Sequence, residues 1–141
     1  MASIFTRIVN GEIPAAKVYE DELTLAFLDV NPASRGHTLV ICKEELPTLL
    51  DLSPEVANAV IHTVQIVARA IMASLAPDGL NVVQNNGAAA GQVVPHYHVH
   101  LIPRWEGDHA VRHWKPGTSS PDELRALAAQ IGARVAGGEP L

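Results

Sequence analysis

Residues 96–102 read His-Tyr-His-Val-His-Leu-Ile, an alternation with a period of two that suits an extended strand and not a helix. On a strand, His96, His98 and His100 stand on one face and Tyr97, Val99 and Leu101 on the other. Successive histidines are then about 6.6 Å apart at their Cα atoms, near enough for the rings to meet one small ligand. Chance spacing on a surface strand is the plain alternative. Against it stands the composition, seven His beside two Trp, two Tyr and two Phe, because histidine is the side chain whose charge changes near neutral pH.

The rest of the chain supplies a frame for that strand. Ser3 is placed to cap a short helix over residues 4–9, stopped by Asn10-Gly11. Residues 17–20, 23–28, 38–42 and 80–84 are short apolar runs between turn signals and read as further strands, giving an antiparallel sheet. Ser53-Pro54-Glu55 opens a helix of about 22 residues that Pro77-Asp78-Gly79 closes. Its apolar residues spread over about 240° of the cylinder, more than one sheet face covers, so either a second layer or a homodimer is expected, and the chain is short enough to favour the homodimer. Ser120-Pro121-Asp122-Glu123 is a capping box for a C-terminal helix over about 121–135, with a frayed tail at 136–141. The expected class is α+β, with one long central helix, in a single domain over 1–141.

Length and charge narrow the partners. At 141 residues the chain can fold without a disulfide staple, and its single Cys42 could not form one internally. Ten basic against fifteen acidic side chains give a net charge of −5, without the basic excess that nucleic-acid phosphates demand. No nucleic acid and no membrane partner is expected. The first residues carry no basic stretch followed by an apolar run, so a cytoplasmic setting is the expectation.

Two chemistries fit three aligned imidazoles. One is a metal site, since imidazole is the commonest metal ligand, with His37 as a donor from elsewhere in the chain. The fan of residues along an extended strand weakens that reading, because the third ring reaches a shared ion poorly. The other uses one neutral imidazole as a nucleophile toward phosphorus, its neighbours binding oxygens or passing protons. The small-residue loop Asn85-Asn86-Gly87-Ala88-Ala89-Ala90-Gly91-Gln92 lies just upstream. Its backbone amides can approach an anion closely, although it lacks the ending of a P-loop. Asp29 could accept two sugar hydroxyls at once, or merely initiate the turn before Asn31-Pro32.

The run His96 to Ile102 resembles the His-φ-His-φ-His-φ-φ signature of the histidine triad (HIT) family of nucleotide hydrolases and transferases. Ile4-Phe5 through Ile13-Pro14, residues 19–21, residues 25–29 and Gly36-His37-Thr38-Leu39-Val40 extend the resemblance over nearly the whole chain. It implies the family's α+β fold and homodimer, no cofactor, and a purine nucleotide as substrate. By the same resemblance His98 is the nucleophile that forms a covalent nucleotidyl-histidine. His100 contacts the phosphate, and His37 and His96 orient the site or relay protons. Asp29 binds the ribose, Ile8, Phe27 and Val30 form the base pocket, and Asn85, Gly91, Gln92 and the amide of Val93 hold phosphate oxygens.

Two departures from the family pattern follow. Many relatives have Ser or Thr in place of Val93, so a hydroxyl near the leaving group is missing. Many bacterial relatives hold a zinc through Cys-x-x-Cys near the N-terminus, where this chain has Ser3 and Thr6, with Glu45 at about the place of a further histidine ligand. No metal is expected. The resemblance implies a phosphoramidase of the Hint-like branch, to which His113-Trp114 and Pro116-Gly117 are similar. A dinucleoside polyphosphate hydrolase and a non-catalytic nucleotide-binding regulatory module are the alternatives.

Overall fold

The computed structural model describes residues 1–135, and the tail expected at 136–141 lies outside them. The chain separates into two compact units, Met1–Val111 and Arg112–Leu141. The first holds a five-stranded sheet of β1 (Lys17–Glu20), β2 (Thr24–Leu28), β3 (Thr38–Cys42), β4 (Gly79–Gln84) and β5 (His98–Arg104) in the order β1-β2-β3-β5-β4. Every neighbouring pair is antiparallel.

Alternation along the central strands divides the core into two layers. Ala26, Val40, Cys42, Val99 and Leu101 face helix α2 (Pro54–Leu75) and pack against its Val56, Val60, Val64, Val67 and Ile71. Leu25, Phe27, Leu39 and Ile41 face the other way and pack with Phe5 and Ile8 of helix α1 (Ile4–Val9). The β3–β5 register sets Ile41 opposite His98 and Leu39 opposite His100. His98 and His100 therefore lie on the α1 face.

Caps fix the helix ends. Ser53 Oγ accepts the Val56 N–H, proline occupies the first turn of α2, and Ala76 ends it in the left-handed conformation. The buried residues of α2 occupy about 100° of its circumference, narrower than its apolar arc, and leave Ile61 and Met72 exposed. By length and composition α2 could cross a membrane, but here one face is buried on the sheet. In the second unit Ser120 caps α3 (Pro121–Gly132), which ends three residues before the expected limit.

The histidine strand begins two residues later than its alternation suggests. His96 sits in a bend, its N–H donating to Val94 O, and Tyr97 N–H turns aside to Leu46 O. At the other end β5 continues through Pro103. β3 pairs only as far as Leu101, so beyond it β5 has a free side where the missing proline N–H costs no ladder bond. Ser34 Oγ–H donates to the Pro103 carbonyl, at 2.6 Å.

Candidate active site

A cavity of about 440 Å³ opens on the α1 face of the sheet, within the size range of small-molecule sites. Its walls include Ile8 and Phe5 of α1, Phe27, Asp29 and Val30 at the end of β2, Gly91 and Val93 of the small-residue loop, and His98 and His100. The wall is apolar at the α1 end and carries its polar groups where β2 and β5 run side by side with β3.

Hydrogen bonds assign each ring its tautomer. A carbonyl only accepts, so His98 Nδ1, 2.7 Å from the His96 carbonyl oxygen, carries the proton and leaves Nε2 with a free lone pair. Phe5 lies edge-on to the His98 ring, with centroids 5.0 Å apart, and fixes its plane. The Ala33 N–H donates to His37 Nδ1 at 2.9 Å, so the His37 proton sits on Nε2 and points to His100 Nδ1, also at 2.9 Å. His100 must then carry its proton on Nε2. The site therefore offers one bare ring nitrogen, on His98, and one ring N–H, on His100.

Burial sets the charge of these rings. It lowers the His98 pKa, against the opposing pull of the His96 carbonyl and the Asp29 carboxylate. It likewise lowers His37, and Asp29 only partly offsets this. His100 falls to about 4, through burial first and then the proximity of His98 and His37. All three are neutral near pH 7. The 3.6 Å approach of His37 Nε2 to Asp29 Oδ2 is accordingly a contact between a neutral ring and a carboxylate, since Nδ1 is already an acceptor.

Asp29 shapes the turn and also faces the cavity. Its Oδ1 accepts the Asn31 N–H at 2.8 Å, which shapes the turn, and the same residue lines the cavity. Asp29, His37 and His100 also offer three ligand atoms within 4.8 Å of one another, the arrangement in which a cation could be held. His37 Nε2 and His100 Nδ1 already share one N–H···N bond, which a metal taking either nitrogen would have to displace.

Four of the expected site residues stand outside the cavity wall. His96 is fully buried, its Nδ1 2.7 Å from Ser3 Oγ and its Nε2 2.7 Å from the Cys42 carbonyl, so it can exchange no proton with a ligand directly. His37 acts behind His100. Gln92 does not reach toward the cavity, because its side chain closes the loop on itself, accepting the Gly87 N–H and donating to the Pro47 and Val94 carbonyls. Asn85 is not part of the cavity wall, and its Nδ2 stands 3.7 Å from where a Gly91 Cβ would be. The amides of Gly91 and Gln92 are spent inside the loop on Ala88 O and Gly87 O, whereas that of Val93 takes no such internal bond. Ile13, Ala15, Leu39 and Val94 are among the further residues of the wall. Ile13 figured before only within the stretches that carry the family resemblance, and Leu39 there and within the expected strand 38–42.

A profile of the HIT domain matches residues 10–107. Among curated proteins, the chain is 40% identical to the adenosine 5'-monophosphoramidase hnt1 of Schizosaccharomyces pombe over 136 residues, 96% of this chain and 99% of that one. Among solved structures it superposes on a HIT family protein from Bacillus subtilis with a TM-score of 0.93 at 40% identity, covering 98% and 100% of the two chains. A Zn-bound histidine triad family protein from Mycobacterium smegmatis matches with a TM-score of 0.74 at 40% identity, over 94% and 97%.

Proposed function

The chain belongs to the HIT family, and from that premise we propose that it is a hydrolase or transferase acting at the α-phosphorus of purine nucleotide derivatives, with nucleoside phosphoramidates as the substrate class. The observation that carries this reading is the His98 ring. It is buried and neutral, is held by its Nδ1–H on the His96 carbonyl, and has a bare Nε2 in a cavity that also contains Asp29.

His98 Nε2 attacks the α-phosphorus, a P–N bond to the ring forms, and the bond to the leaving group breaks. The proton stays on Nδ1, donated to the His96 carbonyl, and that carbonyl steadies the positive charge of the phosphorylated ring. An amine leaving group takes its proton from solvent, since none of the three neutral rings can give one up without becoming an imidazolate, and the Nε2–H of His100 donates a hydrogen bond to a phosphate oxygen as charge builds there. Water then attacks phosphorus and releases a proton to solvent, the P–Nε2 bond breaks with its electron pair returning to Nε2, and His98 regains its lone pair as the nucleotide leaves with the new P–O bond. The base fits among Ile8, Phe27 and Val30, the ribose hydroxyls bond to Asp29, and the Val93 amide meets a phosphate oxygen. The 40% identity to a protein named as an adenosine 5'-monophosphoramidase supports the phosphoramidate class.

Trapping is the test. Mixing the protein with an adenosine phosphoramidate and quenching within a turnover should leave an adenylyl group on the wild type, seen by intact mass and mapped to His98. A protein that binds the nucleotide and never carries the adduct is a binding module. Faster turnover of a diadenosine polyphosphate would transfer the proposal to that substrate class.

We also propose a homodimer in the cytoplasm. Strand β4 pairs on one side only among the described residues and exposes Val82, while α2 exposes Ile61 and Met72 beyond its packed face. Light scattering should give twice the chain mass, and one peak at the monomer mass overturns the dimer.

A further inference from the structure

The zinc of some relatives raises the question of what occupies the corresponding corner here. Ser3, Thr6, Glu45 and His96 meet there, but as a donor set they do not fit zinc. Two neutral hydroxyls replace thiolates, and thiolate, imidazole and carboxylate are what hold this ion. Each group is, moreover, already engaged. Glu45 Oε1 accepts the Thr6 hydroxyl at 2.7 Å and the Ser3 N–H at 2.5 Å. Ser3 Oγ accepts the Thr6 N–H and stands 2.7 Å from His96 Nδ1. Because His96 Nε2 must donate to the Cys42 carbonyl, Nδ1 is an acceptor and the single Ser3 proton goes to it. The polarity of the chain of bonds is thus fixed from Glu45 to His96, whose own carbonyl takes the Nδ1–H of His98.

We propose that Ser3, Thr6 and Glu45 form a metal-free latch that holds His96, and through its carbonyl the nucleophile His98, in one hydrogen-bonding state. The same latch ties the start of α1, which carries Phe5 and Ile8 of the cavity wall, to the bend that leads into β5. Ser3 is therefore a positioning residue. The kinetic consequence rests on the proposed role of His98, whereas the hydrogen-bonding state of His96 and the absence of zinc affinity do not.

The test combines three measurements on the full chain. Ring nitrogen NMR of the wild type should show His96 with Nδ1 as acceptor and Nε2 protonated. Ser3→Ala should shift the Nδ1 signal, Ser3→Thr should restore it, and kcat on the phosphoramidate should fall roughly three- to tenfold in the alanine variant with KM little changed. Wild-type protein passed through zinc solution and desalted should retain almost none, whereas Ser3→Cys/Thr6→Cys should hold about one zinc per chain, because two thiolates then join the His96 nitrogen. Tight zinc binding by the wild type, or His96 ring signals indifferent to Ser3→Ala, overturns the latch. Turnover surviving His98→Ala would instead overturn the proposed function and leave the latch to the NMR and zinc results.

Discussion

The Nε2 of His37 lies 2.9 Å from Nδ1 of His100, and the Ala33 amide on the far side of the His37 ring determines which of the two carries the proton. A backbone N–H in the β2–β3 connection thus decides that His100 turns an N–H, and not a lone pair, toward the ligand. Replacing His37 with Phe fills the space and removes the donor. His100 is then free to adopt either tautomer, and kcat should fall roughly ten- to a hundredfold, the cost of one buried hydrogen bond at a reacting centre, with a smaller change in KM. Steady-state kinetics check this, and unchanged kcat would show that His100 needs no such orientation.

The pH dependence follows from the same burial. His98 must be neutral to attack, and its pKa is lowered from 6.5, so the acid limb of kcat/KM should lie below pH 6.5 and not at it. Stability has the same sign. Below pH 6.5 the unfolded histidines take up protons that folded His37, His98 and His100 refuse, so the unfolded state binds more protons and unfolding becomes easier. That loss should accumulate from pH 6.5 down to about 4, where His100 finally protonates in the folded chain. Thermal melts across this range should fall with pH, and a flat profile would mean that these rings are charged when folded.

Removal of metal separates the nucleophile from the remaining metal reading. Exhaustive chelation should leave turnover within about twofold, because the ring nitrogens of His37 and His100 are joined by a proton and His98 Nδ1 is held by a carbonyl. Loss of activity restored by zinc would instead assign Asp29, His37 and His100 as ligands.

What was legible in the sequence depended on how local its cause is. The ends of α2 follow from Ser53, Pro54 and Pro77 acting on their own neighbours, and the structure places the helix over Pro54–Leu75. The period-two pattern set His98 and His100 on one face, but it could not show that His96 leaves the strand, because the bend depends on Tyr97 N–H reaching the distant Leu46 carbonyl. The family resemblance made Gln92 a phosphate ligand, and only the fold brings Pro47 O to its amide. The tautomers were invisible for the same reason, each being set by a backbone group of another segment.

Gly36 shows how the fold spends one residue on the site. Its φ is +88°, and a Cβ there would stand 2.4 Å from Leu75 Cδ1, at the end of α2. Gly36→Ala should destabilise the chain by about 1–3 kcal/mol, from left-handed backbone strain together with the displaced Leu75, and lower Tm by several degrees. Adding Leu75→Ala to it relieves the collision but not the strain, so the double variant should not recover the full loss. His37 is the next residue, and activity at a temperature where the variant remains folded should fall with it.

Asp29 is the last group whose role can be isolated. As a carboxylate beside the neutral His37, it keeps acceptor capacity on the cavity side although Oδ1 already holds the Asn31 amide. Asp29→Ala should raise KM for the nucleotide roughly ten- to a hundredfold, the worth of one or two hydrogen bonds to a charged acceptor, and lower kcat less. Since the turn also loses its Asn31 bond, the variant alone does not separate binding from local structure. A substrate lacking the ribose 2′ and 3′ hydroxyls does so. It should bind the wild type as poorly as the full nucleotide binds Asp29→Ala, and the variant should no longer distinguish the two substrates. If both proteins discriminate equally, the hydroxyls are read elsewhere and Asp29 serves the turn.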